Sequence, residues 1–223
     1  MIMVIKIQRG IAMEKIEKPK RLKILEQTDS FESLIKEDSY VEGFFFDGET
    51  ITALDIDRLS LNKCHFKNVS FESCQFDRID LMDTTFENCD LSHLKMMDGV
   101  IHRCEFKNCR MTGSDLSNCA IHNTLFEENT ARYANFSFSK FKKVNFIQNQ
   151  LVNTSFNECQ YAKVAYEENN LSESEFINTK LAGIDFSTCD LNNIVIPIES
   201  LKGLTVSSEQ AIQLAKLLGL NIV

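Results

Sequence analysis

Large apolar residues recur at every fifth position of this chain. From Phe46 the series runs through Ile51, Ile56, Leu61, Phe66, Phe71 and Phe76, and it holds its phase to Val206 without a slip. Neither a 3.6-residue nor a two-residue period produces such a series, so an amphipathic helix and an alternating strand are both excluded as its source. Two residues before each large position lies a second informative site. Cys64, Cys74, Cys89, Cys104, Cys109, Cys119, Cys159 and Cys189, all the cysteines of the chain, fall there. Chance would place them in one phase about once in 80,000 trials. Ser, Thr, Ala, Asn, Val and Ile fill most of the remaining small sites. Two of every five side chains therefore point inward, one large and one small.

A five-residue unit hides its large residue only if the chain closes on itself. Four units make a square turn of 20 residues, and turns stack at the strand spacing of ~4.8 Å. Three features support the longer period. Phe46, Phe66, Phe86, Phe106, Phe126, Phe146, Tyr166 and Phe186 stand 20 apart and form an aromatic column. Asn129, Asn149 and Asn169 share a small inward column where amides can bond upward. Asp47, Lys67, Glu87, Lys107 and Glu127 alternate in sign on one outward column. The predicted fold is an all-β solenoid, a right-handed quadrilateral β-helix of about eight 20-residue coils. A short N-terminal cap and a C-terminal helical cap close its ends.

The units Cys89-Asp90-Leu91-Ser92, Ser114-Asp115-Leu116-Ser117, Ala134-Asn135-Phe136-Ser137 and Cys189-Asp190-Leu191-Asn192 resemble the A-(D/N)-L-x-x consensus of the pentapeptide-repeat family. That resemblance implies the quadrilateral β-helix. It also points to the Qnr and MfpA branch, whose members bind DNA gyrase and topoisomerase IV and dimerise through C-terminal caps. Many Gram-negative Qnr proteins interrupt the repeat with longer loops. Here it is unbroken from Phe46 to Val206, so the chain is similar to the loop-free members. The implied function is a non-catalytic binder of type II topoisomerase acting by DNA mimicry. A general protein-interaction scaffold or regulator is the alternative.

Residues 44–206 carry the repeat, 1–43 an N-terminal extension and 207–223 a C-terminal cap. Ser207 and Gln210 have the spacing of a capping box, and Gly219 suits a helix end. The apolar residues Ile212, Ala215, Leu217, Leu218, Leu220 and Ile222 would be buried in a homodimer joined at this cap, which also removes an exposed sheet edge. Glu14 to Lys36 is rich in Lys, Glu, Leu and Ile and predicts a short helix or an irregular cap. Met13 is an alternative start to Met1.

The composition adds limits. The chain has 223 residues, 43% hydrophobic and 25% charged, with a net charge of −8. That balance disfavours direct binding of nucleic acid or of anionic lipid. The start lacks the long apolar core of a signal peptide, and no stretch is long enough to span a bilayer; a cytoplasmic location is expected. The cysteines lack C-x-x-C spacing and read as inert core residues. His65, His93, His102 and His122 all point outward without completing a metal site. The abundant Ser and Asp belong to the repeat, and no glycine loop cradles a phosphate. No catalytic residue, metal or cofactor is expected. Spread over eight coils, the acidic excess amounts to one charge per ~4 Å, against one per ~1.7 Å of duplex DNA. Mimicry therefore requires concentration on one face, and Glu127, Glu128, Glu167 and Glu168 are the candidate acidic patch. Lys63, Arg103, Lys143 and Lys163 share a basic column.

Overall fold

The structure, a computed structural model, describes residues 13–27 and 30–219. Every 20 residues the chain returns beside itself. Phe46 lies opposite Phe66, and the same register continues through Phe86, Phe106, Phe126, Phe146 and Tyr166. All of these pairings are parallel, and the result is a four-sided parallel β-solenoid. The 20-residue period read from the sequence is the spacing of the coils.

Two adjacent sides carry most of the strands, and a third holds the short pair Thr50–Thr52 and Ser70–Glu72. One is built from Tyr40–Glu42, Ser60–Asn62, Asp80–Met82 and Val100–His102, the other from Phe44–Asp47, His65–Lys67, Thr85–Glu87 and Glu105–Lys107. In the next three coils they merge into single strands, Ala120–Glu127, Lys140–Ile147 and Gln160–Glu167. The other two sides are joined mainly by isolated bridges such as Gln75↔Lys95 and Thr130↔Gln150.

The strand ladder through Phe46 covers about six turns, fewer than the eight counted from the repeat. Beyond Tyr166 the coil continues only through bridges such as Asn170↔Asp190 and Asp185↔Thr205. The aromatic column changes at the same place. Rings from Phe46 to Tyr166 stack, with centroids 4.7 Å apart at Phe46–Phe66 and 5.0 Å at Phe86–Phe106 and Phe106–Phe126. Phe186 instead meets Tyr166 edge-on at 5.1 Å. There the column runs into the C-terminal cap, which takes up the Phe186 carbonyl.

Where the small inward site holds a polar residue or cysteine, its side-chain donor commonly reaches a carbonyl of the preceding coil. Thr84 donates to Leu61 O at 3.1 Å, Cys89 to Phe66 O at 3.4 Å, and Ser139 to Leu116 O at 2.9 Å. Asparagine does this and more. Asn129 and Asn149 donate to Phe106 O and Phe126 O, and Asn129 Nδ2 also reaches Asn149 Oδ1 at 3.0 Å. These buried groups are thus paired, as interiors require.

The corners turn through left-handed backbone. Lys63, Asp83, Arg103, Asn123, Lys143 and Lys163 stack on one corner column with φ between 51° and 60°. Only glycine adopts this region without cost, with Asn and Asp next. The N–H groups of Lys63, Asp83 and Arg103 are carried to the next coil, as Arg103 N to His122 O at 3.0 Å.

Both ends are closed. Helix α1 (Phe31–Glu37), capped by Ser30, drives the fully buried ring of Phe31 against Phe46 and Phe66 at 5.3 and 5.7 Å. At the other end helix α2 (Ser208–Ala215) starts with the capping box expected from Ser207 and Gln210. Gln210 Nε2 also donates to the carbonyls of Phe186 and Cys189 at 2.8 and 2.6 Å, so it caps the last coil as well as its own helix. Gly219 ends the segment with φ 73°. Residues 13–21 do neither job: they run along the outside of the stack. Among the described residues no helix is long and apolar enough to cross a membrane.

Candidate functional site

With the core closed, chemistry is left to the outward columns, and these are mixed in sign. Lys67 pairs with Glu87 at 3.0 Å, and Lys107 lies 3.2 Å from Glu105 and 3.8 Å from Glu127. The alternation read from the sequence is thus realised as ion pairs between coils. Glu127 and Glu128 stand two coils from Glu167 and Glu168, with Ile147 and Gln148 between them. Gln148 donates to Glu168 Oε2 at 2.8 Å. The four carboxylates share an edge without forming a continuous line.

The basic column is likewise interrupted. Arg103 embraces Asp83, with Nε and Nη2 at 2.6 and 2.8 Å from its oxygens. Burial opposes the charged form of Asp83. The hydrogen bonds from Arg103 and the Lys20 N–H outweigh it and hold the carboxyl below its ordinary range. Next to this pair, His102 and His122 lie on adjacent coils with ring centroids 6.2 Å apart. Burial lowers the pKa of both, helped by Arg103 at His102 and by Lys142 at His122. Among the described residues no group of three or more His, Cys, Asp or Glu could hold a metal ion.

The least expected feature is the path of residues 13–21. They descend the strand-bearing side against the direction of coiling, and their backbone is held by side chains of the solenoid. Glu14 N donates to Asn145 Oδ1 at 3.1 Å, and Asn145 Nδ2 donates back to Glu14 O at 2.9 Å. Glu17 N reaches Asn123 Oδ1 at 3.3 Å, and Lys20 N reaches Asp83 Oδ1 at 2.9 Å. Arg21 pairs with Glu105 at 3.2 Å. Glu26–Gln27 then joins the sheet beside Phe44–Phe45. Gly43 leaves room for this passage, since a Cβ there would lie 2.8 Å from Leu22 Cδ1. None of these face residues except Arg103 had been singled out in the sequence. The available signal is the corner position itself, where Asp83 and Asn123 interrupt a column whose neighbouring members, Lys63, Arg103 and Lys143, are basic.

At the C-terminal end, Ile212 and Leu217 are exposed, Ala215 is half-buried and Leu214 is buried. Leu201, Leu204, Val206, Ala211, Leu214 and Ala215 line an apolar groove beside α2. The Leu218 side chain, Leu220, Ile222 and the alternative starts' intervening residues 1–12 lie outside the described residues.

Two family models match the chain. A model described as pentapeptide repeat region matches residues 79–156, and one described as pentapeptide repeats (9 copies) matches residues 57–94. Both fall inside the stack of five-residue units just described. The chain belongs to the pentapeptide-repeat proteins. No curated protein matches this pentapeptide-repeat protein. Several solved structures are similar to it. A trypsin-treated form of QnrB1, a plasmid-mediated fluoroquinolone resistance protein, is 23% identical, with 80% of this chain and 91% of that chain covered and a TM-score of 0.46. HetL from the cyanobacterium Nostoc sp., a pentapeptide repeat protein involved in heterocyst differentiation regulation, is 10% identical over 74% of this chain and 86% of its own, with a TM-score of 0.33. A pentapeptide repeat protein of the Arabidopsis thaliana thylakoid lumen is 17% identical over 64% and 75%, with a TM-score of 0.30.

Proposed function

We propose that this pentapeptide-repeat protein is a non-catalytic docking rod for other proteins. One observation carries the reading: outward side chains stand in register from coil to coil, so each side presents a rigid mosaic of charged and polar columns. Such a surface offers many weak polar contacts at fixed spacing, which suits recognition of a protein partner better than enclosure of a small substrate. The test is affinity capture from the native host with the purified chain. A partner retained by the wild type and lost from a Lys140→Glu, Lys142→Glu, Lys143→Glu variant with unchanged melting supports the reading. Retention of no partner by the wild type overturns it.

A second reading is favoured by the unbroken repeat together with the net charge of −8. It makes the chain a cytoplasmic, Qnr-like binder of DNA gyrase or topoisomerase IV, dimeric through α2 and presenting Glu127, Glu128, Glu167 and Glu168 in place of DNA phosphates. The interruption of those carboxylates by Ile147 and Gln148 ranks it second. A supercoiling assay with purified gyrase decides it: no change at micromolar protein sinks this reading and leaves the docking rod standing.

A further inference from the structure

The side of the solenoid under residues 13–21 has the properties of a peptide-binding strip. Asp83, Glu105, Asn145 and Asn123 are 3%, 3%, 5% and 8% exposed, although all four point outward from the coil. What buries them is polypeptide. Three of them grip main-chain atoms, and Asn145 takes both the N–H and the C=O of one residue. Recognition of this kind reads an extended backbone and leaves side-chain identity largely free.

The interval from Glu17 to Lys20 fits one conformation. The N–H groups used belong to Glu14, Glu17 and Lys20, three residues apart. Met13, Ile16 and Pro19 are half-buried on the same period, while Lys15, Lys18 and Arg21 are exposed. Three residues of polyproline II rise ~9.3 Å. Two coils rise ~9.6 Å, and Asn123 and Asp83 are two coils apart. Pro19 falls in the apolar phase, where no N–H is needed. Glu105, which pairs with Arg21, and the excess of Lys and Arg over Glu along residues 13–21 set the charge preference.

We propose that the strip formed by Asp83, Glu105, Asn123 and Asn145 is a binding site for an extended basic segment of a partner protein, and that residues 13–21 occupy it in cis. This rests on the docking-rod reading and names one of its surfaces. The strap is displaceable, because its anchors are a few hydrogen bonds, each of modest net worth, and half-buried side chains. A partner segment of the same chemistry competes with it.

The experiment uses the full chain. Glu14→Pro, Glu17→Pro and Lys20→Pro together remove the three strap N–H groups and leave the strip intact. A fluorescein-labelled synthetic peptide of residues 13–23 is titrated into this variant and into the wild type, and binding is read by anisotropy. The peptide should bind the variant at least about tenfold more tightly, because the wild-type strap competes at millimolar effective concentration. The same peptide with prolines at the three donor positions, or with Lys and Arg changed to Glu, should bind at least about tenfold more weakly. Asn145→Ala and Asp83→Ser added to the variant should abolish binding. Absence of peptide binding to a proline variant that keeps its β spectrum and melting temperature overturns the proposal. So does unprotected hydrogen exchange at Glu14, Glu17 and Lys20 in the wild type. Should the strip fail while affinity capture still retains a partner, only this site is lost; loss of both removes the docking rod itself.

Discussion

At the residue scale the inward small site decides what the cysteines are for. Seven of the eight Sγ atoms point at a carbonyl of the coil before them, as Cys104 toward Leu81 O at 3.6 Å and Cys159 toward Phe136 O at 3.2 Å. Burial pushes the thiols of Cys104, Cys119 and Cys159 up to about 12, and those of Cys64 and Cys189 to about 11. A thiol so disposed is a compact core donor and a poor nucleophile. Ellman's reagent at pH 8 should therefore find almost no reactive thiol in the native chain and all eight after unfolding in guanidinium. Rapid labelling of the native protein would contradict this. The histidines make the opposite statement, about pH. His102 and His122 have folded pKa values lowered chiefly by burial, so the unfolded chain takes up their protons first. Their contribution to stability is complete above the unfolded value near ~6.5 and is lost as pH falls through it. The melting temperature should drop between pH 7.5 and 5.5. His102→Gln with His122→Gln should flatten part of that slope, leaving the share due to His65, which burial also lowers.

At the scale of the element, the columns carry the stability. Asn149 Oδ1 accepts from both the N–H and the Nδ2 of Asn129, at 2.9 and 3.0 Å, and its own Nδ2 reaches Phe126 O and Asn169 Oδ1. Asn149→Ala would leave several of these buried groups without partners, at roughly 1–3 kcal/mol each. A loss of about 2–5 kcal/mol in guanidinium unfolding is expected, with Asn149→Ser recovering part of it through the Phe126 carbonyl. In the neighbouring column Phe106→Asp would place a charge between stacked rings and should prevent folding, whereas Phe106→Ala should cost about 3–5 kcal/mol. A Phe106→Asp chain that melts cooperatively would refute the stacked core. Both columns were legible in the sequence, because a buried position constrains residue type at every coil and a fixed period makes the constraint visible. The strap was not. Glu14 to Lys36 is rich in Lys, Glu, Leu and Ile, and that composition favours a helix or cap over an extended run. The three-residue period of Met13, Ile16 and Pro19 was the weaker competing signal. Its partners are scattered over four coils, and they grip backbone, which leaves no mark on the sequence of the strap. The last coils were overcounted for a related reason: the repeat continues to Val206, but the strand pairing along the Phe46 ladder stops at Glu167.

At the scale of the whole molecule, the question is how a stack of parallel coils ends. Solenoids need capping surfaces because each coil covers only its neighbour. Phe31 and α1 close the first coil with a buried ring, and Gln210 closes the last with a polar grip on two carbonyls. The second closure leaves apolar surface behind. Ile212 and Leu217 are 54% and 40% exposed, and the groove between α2 and the final turn is lined by Leu201, Leu204 and Val206. A two-fold contact between copies would cover this end of both rods and shield the unpaired edge. A specific interface of that kind buries at least about 1,000 Å² in total. Sedimentation should then report a dimer for the wild type. Leu217→Glu should give a monomer with an unchanged β spectrum, since the residue is exposed within one copy and its charge would be buried only at the contact. The exposed Tyr133, on a corner far along the rod from α2, provides the control, and Tyr133→Glu should leave the dimer intact. A dimer that persists in Leu217→Glu and in Ile212→Glu would place the contact elsewhere, and a wild-type monomer would mean that α2 alone is enough to end the stack.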